Sequence, residues 1–285
     1  MVNPAPARPY DLAVAYRIYP GVSRTPLFAG RDKLDLARVA LESFRAGLGG
    51  LRAKIWVLLD NCPPSYRELF LSLFDAPDLE LLPLDGEGNW RTFRRQIDLL
   101  AAQEAAEVVY FAEDDYLYLP DSLARMTEFL RAHADADFLT AYDHPDLYRL
   151  RLHRHPARTR DQGATRWRTT LSTCLTFMTT RRTLRETRAV FESYARGNSD
   201  LGLWMSLTKF HAFNPFTAAR CLPDGGFVPA SIALAWRHAW RQLLRGRRYH
   251  LWTPAPSLAT HMEATGLAPG IPWAELFAPR LDRGQ

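Results

Sequence analysis

The sequence predicts an α/β protein with a mostly parallel central sheet and helices packed on both faces. Three observations carry that prediction. Short apolar runs alternate with stretches of helical periodicity through the first half, joined by tight turns, which is the pattern of βαβ units. Two of those runs end on acids, at Asp60 and at Glu113-Asp114-Asp115, where such sheets present side chains to ligands beyond their carboxyl ends. The chain has 285 residues, 47 % of them hydrophobic, enough to bury a sizeable core.

The elements follow in order. Leu12–Tyr16 is an apolar run ending at Pro20-Gly21, a strand followed by a turn. Leu34–Gly47 sets Leu34, Val39, Leu41 and Phe44 at mostly helical spacing and closes at Gly49-Gly50. Ile55–Leu59 reads as a buried strand with Asp60-Asn61 at its end, and Pro63-Pro64 opens the helix Ser65–Phe74. The strand Leu79–Leu82, a turn at Gly86–Gly88 and the helix Trp90–Gln103 come next, then the strand Glu107–Ala112, the helix Pro120–Ala132 and the strand Phe138–Tyr142. The second half is less regular. Tyr148–Trp167 is rich in Arg and His without a clean period and reads as a long loop, with His153 and His155 solvated. Leu171–Met178 reads as a strand, and Arg182–Tyr194, Asp200–Phe210 and Ile232–Leu244 as helices, with turns at Pro254, Pro256, Pro269 and Pro272.

Composition excludes several classes. Hydrophobic and aromatic content is too high for a disordered chain. No apolar run approaches the roughly 20 residues of a membrane span, and the N-terminal stretch has no apolar core of leader length. Three scattered cysteines, Cys62, Cys174 and Cys221, make neither a disulfide framework nor a zinc knuckle. No Gly-rich dinucleotide fingerprint or phosphate-binding lysine loop follows any strand. These features predict a cytoplasmic protein. Charge is unevenly spread: residues 1–150 hold 16 basic and 23 acidic side chains, residues 151–285 hold 20 and 8. The second half is therefore suited to an anionic partner.

The stretch with most chemistry is Val108–Asp121, where an apolar strand runs into Glu113, Asp114 and Asp115. Adjacent carboxylates repel one another unless a cation or hydrogen-bond donors compensate. Mg²⁺ or Mn²⁺ binds through one or two carboxylates together with substrate phosphates. In an extended segment Glu113 and Asp115 point one way and Asp114 the other.

FAEDDYLYLPDSL resembles the DXD region of GT-A glycosyltransferases, particularly bacterial family-2-like enzymes, and other segments fall in the order those enzymes share. Leu12–Tyr16 is similar to their first strand, Asp60 to the acid that contacts the nucleoside, and Asn89 with Thr92 to the segment one helix before the DXD strand. Ser172–Arg181 resembles the loop and strand bordering the acceptor, although it carries Ser, Thr and Cys where relatives carry Gly. Asn198-Ser199-Asp200 resembles the segment with the catalytic acid, and Ala259–Glu263 the late histidine of the metal site.

The resemblance implies one GT-A-like domain over residues 1–285, with a nucleotide-sugar donor half at about 10–145 and an acceptor half at about 146–285. It implies transfer of a sugar from a nucleotide-sugar donor to an acceptor hydroxyl on a glycan, a lipid-linked sugar or a small molecule, with inversion. Asp115 and His261 would hold Mn²⁺ or Mg²⁺, Asp60, Asn89, Glu113 and Asp114 would bind the donor, and Asp200 would be the general base.

Two rivals come from other classes. A sugar nucleotidyltransferase would carry a Gly-rich, Arg-containing loop after the first strand with a nearby Lys, of which Pro20–Lys33 is a faint echo. A nucleic-acid-binding protein would suit the basic second half, but it has no use for a carboxylate triplet at a strand end, so no nucleic-acid partner is expected. Ile232–Arg248 reads as an interfacial helix, with Ile232, Trp236, Trp240 and Leu243 on one side and Arg237, Arg241, Arg245 and Arg248 on the next. That pattern predicts a peripheral contact with the inner membrane surface.

Overall fold

The computed structural model describes residues 9–224 and 226–281. The remaining positions of the expected 1–285 unit, including the first eight residues of the N-terminal stretch, lie outside the described residues. In chain order the elements are β1 (Leu12–Ile18), α1 (Lys33–Leu48), β2 (Ala53–Asp60), α2 (Pro64–Leu73), β3 (Leu79–Leu84), α3 (Gly88–Ala102), β4 (Val108–Glu113), β5 (Tyr116–Tyr118), α4 (Ser122–Ala132) and β6 (Phe138–Leu139). There follow α5 (Asp146–Arg149), β7 (Thr159–Gln162), β8 (Thr165–Thr170), β9 (Phe177–Thr180), α6 (Arg181–Phe191), α7 (Asp200–Thr208), α8 (Pro215–Arg220), α9 (Phe227–Arg245), β10 (Leu251–Ala255), β11 (Ala259–His261) and α10 (Trp273–Leu281).

Nine strands form one sheet in the order β3-β2-β1-β4-β9-β6-β10-β8-β7, and β5 pairs with β11 in a separate two-stranded ribbon. The pairings leave only β8 and β9 running against the rest, so the sheet is mostly parallel as expected. Because side chains alternate across a strand, β1 shows two different faces. Leu12, Val14 and Tyr16 enter a core shared with α1, α2 and α4, where Tyr16 meets Phe44 edge-on at 5.4 Å between ring centroids. Ala13 and Ala15 face the opposite side, and their small size admits Phe93 and Ile97 of α3. That second core continues under α6 and α7 through Phe111, Phe177, Phe191 and Trp204, with Phe111 and Phe177 stacked at 4.4 Å.

The first half matches the expected elements closely; the second half corrects several. The segment read as a long loop holds the antiparallel hairpin β7–β8, turning at Gly163 with φ +57°. Its outward positions carry Arg and Asp, and the buried ones on β8 are Thr165, Trp167, Thr169 and Thr170, with Trp167 stacked on Phe129, so apolar periodicity does not reveal it. The strand expected over Leu171–Met178 is β9, shifted to Phe177–Thr180. The turn expected at Pro254 is instead part of β10. Its neighbour β6 pairs only as far as Trp252, so the missing proline N–H breaks no ladder bond on that side.

The row expected on one side of α9 is divided: Leu243 is buried with Val228, Ser231, Ala235 and Ala239, whereas Trp240 is 42 % exposed. Small residues let α9 lie close against the protein, and Trp236 sits at the rim with its indole N–H donated to the Ala212 carbonyl at 2.9 Å. Among the described residues no helix is long and apolar enough to cross a membrane.

Candidate functional site

The carboxyl ends of β1, β2 and β4 open into a cavity of about 390 Å³ lined by Arg17, Tyr19, Asp60, Asn89 and Glu113–Asp115 among others. That volume falls in the range of small-molecule sites.

Asp60 ends β2, and Asn61 after it takes φ 55°, a left-handed conformation that Asn tolerates better than most residues. Asp60 accepts the Glu87 and Gly88 backbone N–H groups at 2.7 and 2.8 Å. Gly86 and Gly88, both at positive φ, make the turn that aims those donors. Asp60 thus anchors the start of α3. Asn89, one residue further, accepts from Arg17 and donates to the Tyr194 hydroxyl at 3.0 Å.

The triplet at the end of β4 is held apart by separate partners. Glu113 pairs with the buried Arg17 and accepts the Thr176 hydroxyl at 2.6 Å. Asp114 lies in the turn after β4 and meets Lys33 Nζ at 2.6 Å. Burial pushes the Asp114 carboxyl up to about 6, Lys33 opposing and Asp115 adding to the shift. Asp115 faces His261, with Oδ2 3.0 Å from Nε2. The β5–β11 ribbon delivers that histidine by setting His261 opposite Tyr116 and donating the Met262 N–H to the Asp115 carbonyl at 2.7 Å. Burial would lower the imidazole pKa, but Asp115 with Glu113 and Glu263 outweighs it and raises it to about 9.

These residues fit a hard divalent ion. Asp115 Oδ1 is buried without a hydrogen-bond partner, beside an imidazole nitrogen with its own carboxylate, Glu263 Oε2, 3.8 Å from Nδ1. No three His, Cys, Asp or Glu side chains converge to hold a metal among the described residues. One carboxylate and one imidazole suit an ion that completes its shell with substrate phosphates and water.

Asp200 is set apart from these groups, at the start of α7, where Ser199 caps the helix by accepting the Gly202 N–H at 3.0 Å. It lines a neighbouring cavity of about 140 Å³ with Ser172, Thr173, Cys174, His144 and His153. Burial and the nearby Glu113 raise its pKa to about 6. The structure therefore brings Asp60, Asn89, Glu113, Asp114 and Asp115 into one cavity, His261 onto Asp115, and Asp200 into the next. It corrects His153, expected in solvent: burial drops its pKa to about 3 in the wall of the Asp200 cavity.

Sequence reasoning missed Arg17, Lys33, Thr176 and Tyr194. Arg17 left a usable signal, because it is the one charge in a strand whose seven residues are all buried, and a buried charge requires a partner. Arg17→Met should lower stability to chemical denaturant by about 3 kcal/mol, the cost of leaving the partly buried Glu113 without its counter-charge. A loss within about 0.5 kcal/mol, the scale of an ordinary surface substitution, would show the pair to be solvated.

No protein-family model matches the sequence, and no curated protein sequence is similar to it. Among solved structures the chain resembles the galactosyltransferase LgtC in complex with donor and acceptor sugar analogues, at 12 % identity and a TM-score of 0.48 over 95 % of each chain. It resembles TarS of S. aureus in complex with UDP-GlcNAc at 14 % identity and a TM-score of 0.41, over 62 % of this chain and 47 % of that one. A cytidylyltransferase from Leptospira borgpetersenii is similar at 11 % identity and a TM-score of 0.34, over 62 % of this chain and 63 % of that one.

Proposed function

We propose that the chain is a metal-dependent glycosyltransferase, moving a sugar from a nucleotide-sugar donor to an acceptor hydroxyl with inversion at the transferred carbon. One juxtaposition carries the reading: the half-buried Asp115, with one buried and unused oxygen beside His261 in the cavity at the strand ends, and Asp200 in a smaller cavity.

In this reading residues 10–145 form the donor half and 146–285 the acceptor half of one domain. Asp115 and His261 hold Mn²⁺ or Mg²⁺, and Glu263 steers the imidazole. The bound ion offsets negative charge that builds on the departing nucleoside diphosphate. Arg17 pairs with Glu113 and Lys33 with Asp114, and the two acids would serve the ribose and the waters of the ion. Asp60 and Asn89 act on the nucleoside through the α3 turn that they fix. Asp200 accepts the acceptor hydroxyl's proton while its oxygen bonds to the anomeric carbon. The bond from that carbon to the phosphate oxygen breaks, and its electron pair leaves with the nucleoside diphosphate. A carboxylate with a pKa near 6 is ionised at neutral pH and still basic enough to take a proton as charge develops.

Lys33 on Asp114 favours a second reading, sugar nucleotidyl transfer, whose first-strand loop would place a lysine near the acids. Incubation with a panel of sugar nucleotides and Mn²⁺ or Mg²⁺ separates the two. Slow release of nucleoside diphosphate from one donor is the expected result. Pyrophosphate formed from a nucleoside triphosphate and a sugar phosphate, without diphosphate release, would replace the first reading by the second.

A further inference from the structure

We propose that the outward face of α9 seats the protein on an anionic bilayer and that the acceptor is an amphipathic molecule carried in that bilayer. The clause about the acceptor rests on the transferase reading; the docking surface does not. The observation is a pair of adjacent rows. Trp236, Trp240 and Leu244 recur every four residues on α9, and Phe213 extends their row, packed edge-on to Trp236 at 5.5 Å. Phe213, Trp240 and Leu244 are 54 %, 42 % and 57 % exposed. One residue further along, Arg237, Arg241 and Arg245 form a parallel exposed row.

Apart from Trp236, which is half-buried and bonded to the Ala212 carbonyl, these rows do not pack into the core. The opposite stripe of α9 does the packing, and α9 contains no acidic residue. Arg241 lies over the Trp240 ring at 5.4 Å, so its guanidinium and the indole occupy one patch. A row of tryptophan and leucine beside a row of arginine matches a headgroup region, where aromatic rings sit at the interface and cations meet lipid phosphates. A nucleic acid would reward the arginines but leave Leu244 and Phe213 in water.

The second observation concerns the acceptor. Phe227, the first residue of α9, lines the cavity that contains Asp200, together with Leu147, Leu150 and Leu201. An apolar wall beside a proton-accepting carboxylate suits a hydroxyl attached to a greasy carrier better than a free sugar. α9 bends at Ala239 (φ −132°, ψ 25°), so that Phe227 belongs to its first segment and Trp240 and Leu244 to its second; with the second segment in the headgroup layer, the first leads back to that cavity.

Flotation of the purified chain with vesicles of phosphatidylcholine, with and without phosphatidylglycerol, tests the surface. Wild type should float only with the anionic vesicles. Arg237→Gln, Arg241→Gln and Arg245→Gln combined should lower partitioning on the order of a hundredfold, about fivefold for each arginine removed. Trp240→Ser with Leu244→Ser should abolish the binding that survives high salt. Circular dichroism of each variant should match wild type, as exposed side chains require. No flotation with anionic vesicles, or flotation that neither variant changes, overturns the docking surface. So does arginine-dependent retardation of random duplex DNA without flotation, or a dimer that Trp240→Ser and Leu244→Ser dissociate without flotation. Flotation needs no donor, so its failure leaves the transferase reading intact. If diphosphate release fails while flotation succeeds, the surface stands without that reading.

Discussion

Asp200→Asn should reduce turnover by about a hundredfold to ten-thousandfold, the range for loss of a general base, with donor affinity unchanged. The substitution is nearly isosteric, and Ser199 rather than Asp200 caps α7, so the helix should persist. The pH profile gives an independent signature. The working form is the carboxylate, and burial with repulsion from Glu113 has raised its pKa to about 6. The wild-type rate should therefore be level above that value and fall about tenfold per pH unit below it. In Asp200→Asn the limb should vanish along with the rate. Full turnover in the variant, or an unchanged acidic limb, would reduce Asp200 to an acid favoured by the helix dipole.

The second large effect concerns donor binding. A nucleoside diphosphate with Mn²⁺ at about a hundred times its dissociation constant should stabilise wild type by about 2.7 kcal/mol. That corresponds to a melting shift of several degrees in a chain of this size. Asp115→Asn should lose the metal-dependent part of the shift, because an amide cannot supply the negative oxygen that the ion requires. His261→Ala should weaken it in the same direction. A shift equal to wild type in Asp115→Asn would remove Asp115 from the site.

Much of this arrangement was legible in the residues, for identifiable reasons. The units from β1 to β4 alternate strand and helix with short turns, so local periodicity and turn chemistry were sufficient. The carboxylate triplet was visible because acids at the end of an apolar run stand out. What stayed hidden depended on distant pairing. The three-residue strand β5 has no pattern of its own and exists through β11, more than a hundred residues later. Lys33 and Asp114 are joined only by the fold. Gln96, with no signal in α3, bridges the Ala15 and Ala112 carbonyls at 2.7 and 3.1 Å. On α9 the departure was smaller: Leu243 of the expected apolar row turned inward, while close packing took serine and alanine for most of the buried stripe and left Trp240 outside.

The β5–β11 ribbon also has a consequence in time. Asp115 is synthesised well before His261, and the ribbon pairs the two segments. While the ribosome is still producing the middle of the chain, β1, β2, β3 and β4 can already associate through their parallel pairings. Through that interval the nascent chain has the acids but not the imidazole, and its ion-holding pair is incomplete. The centre is thus among the last features to mature, and a transcript truncated before residue 259 would yield a chain with all nine strands of the main sheet and only half of this pair.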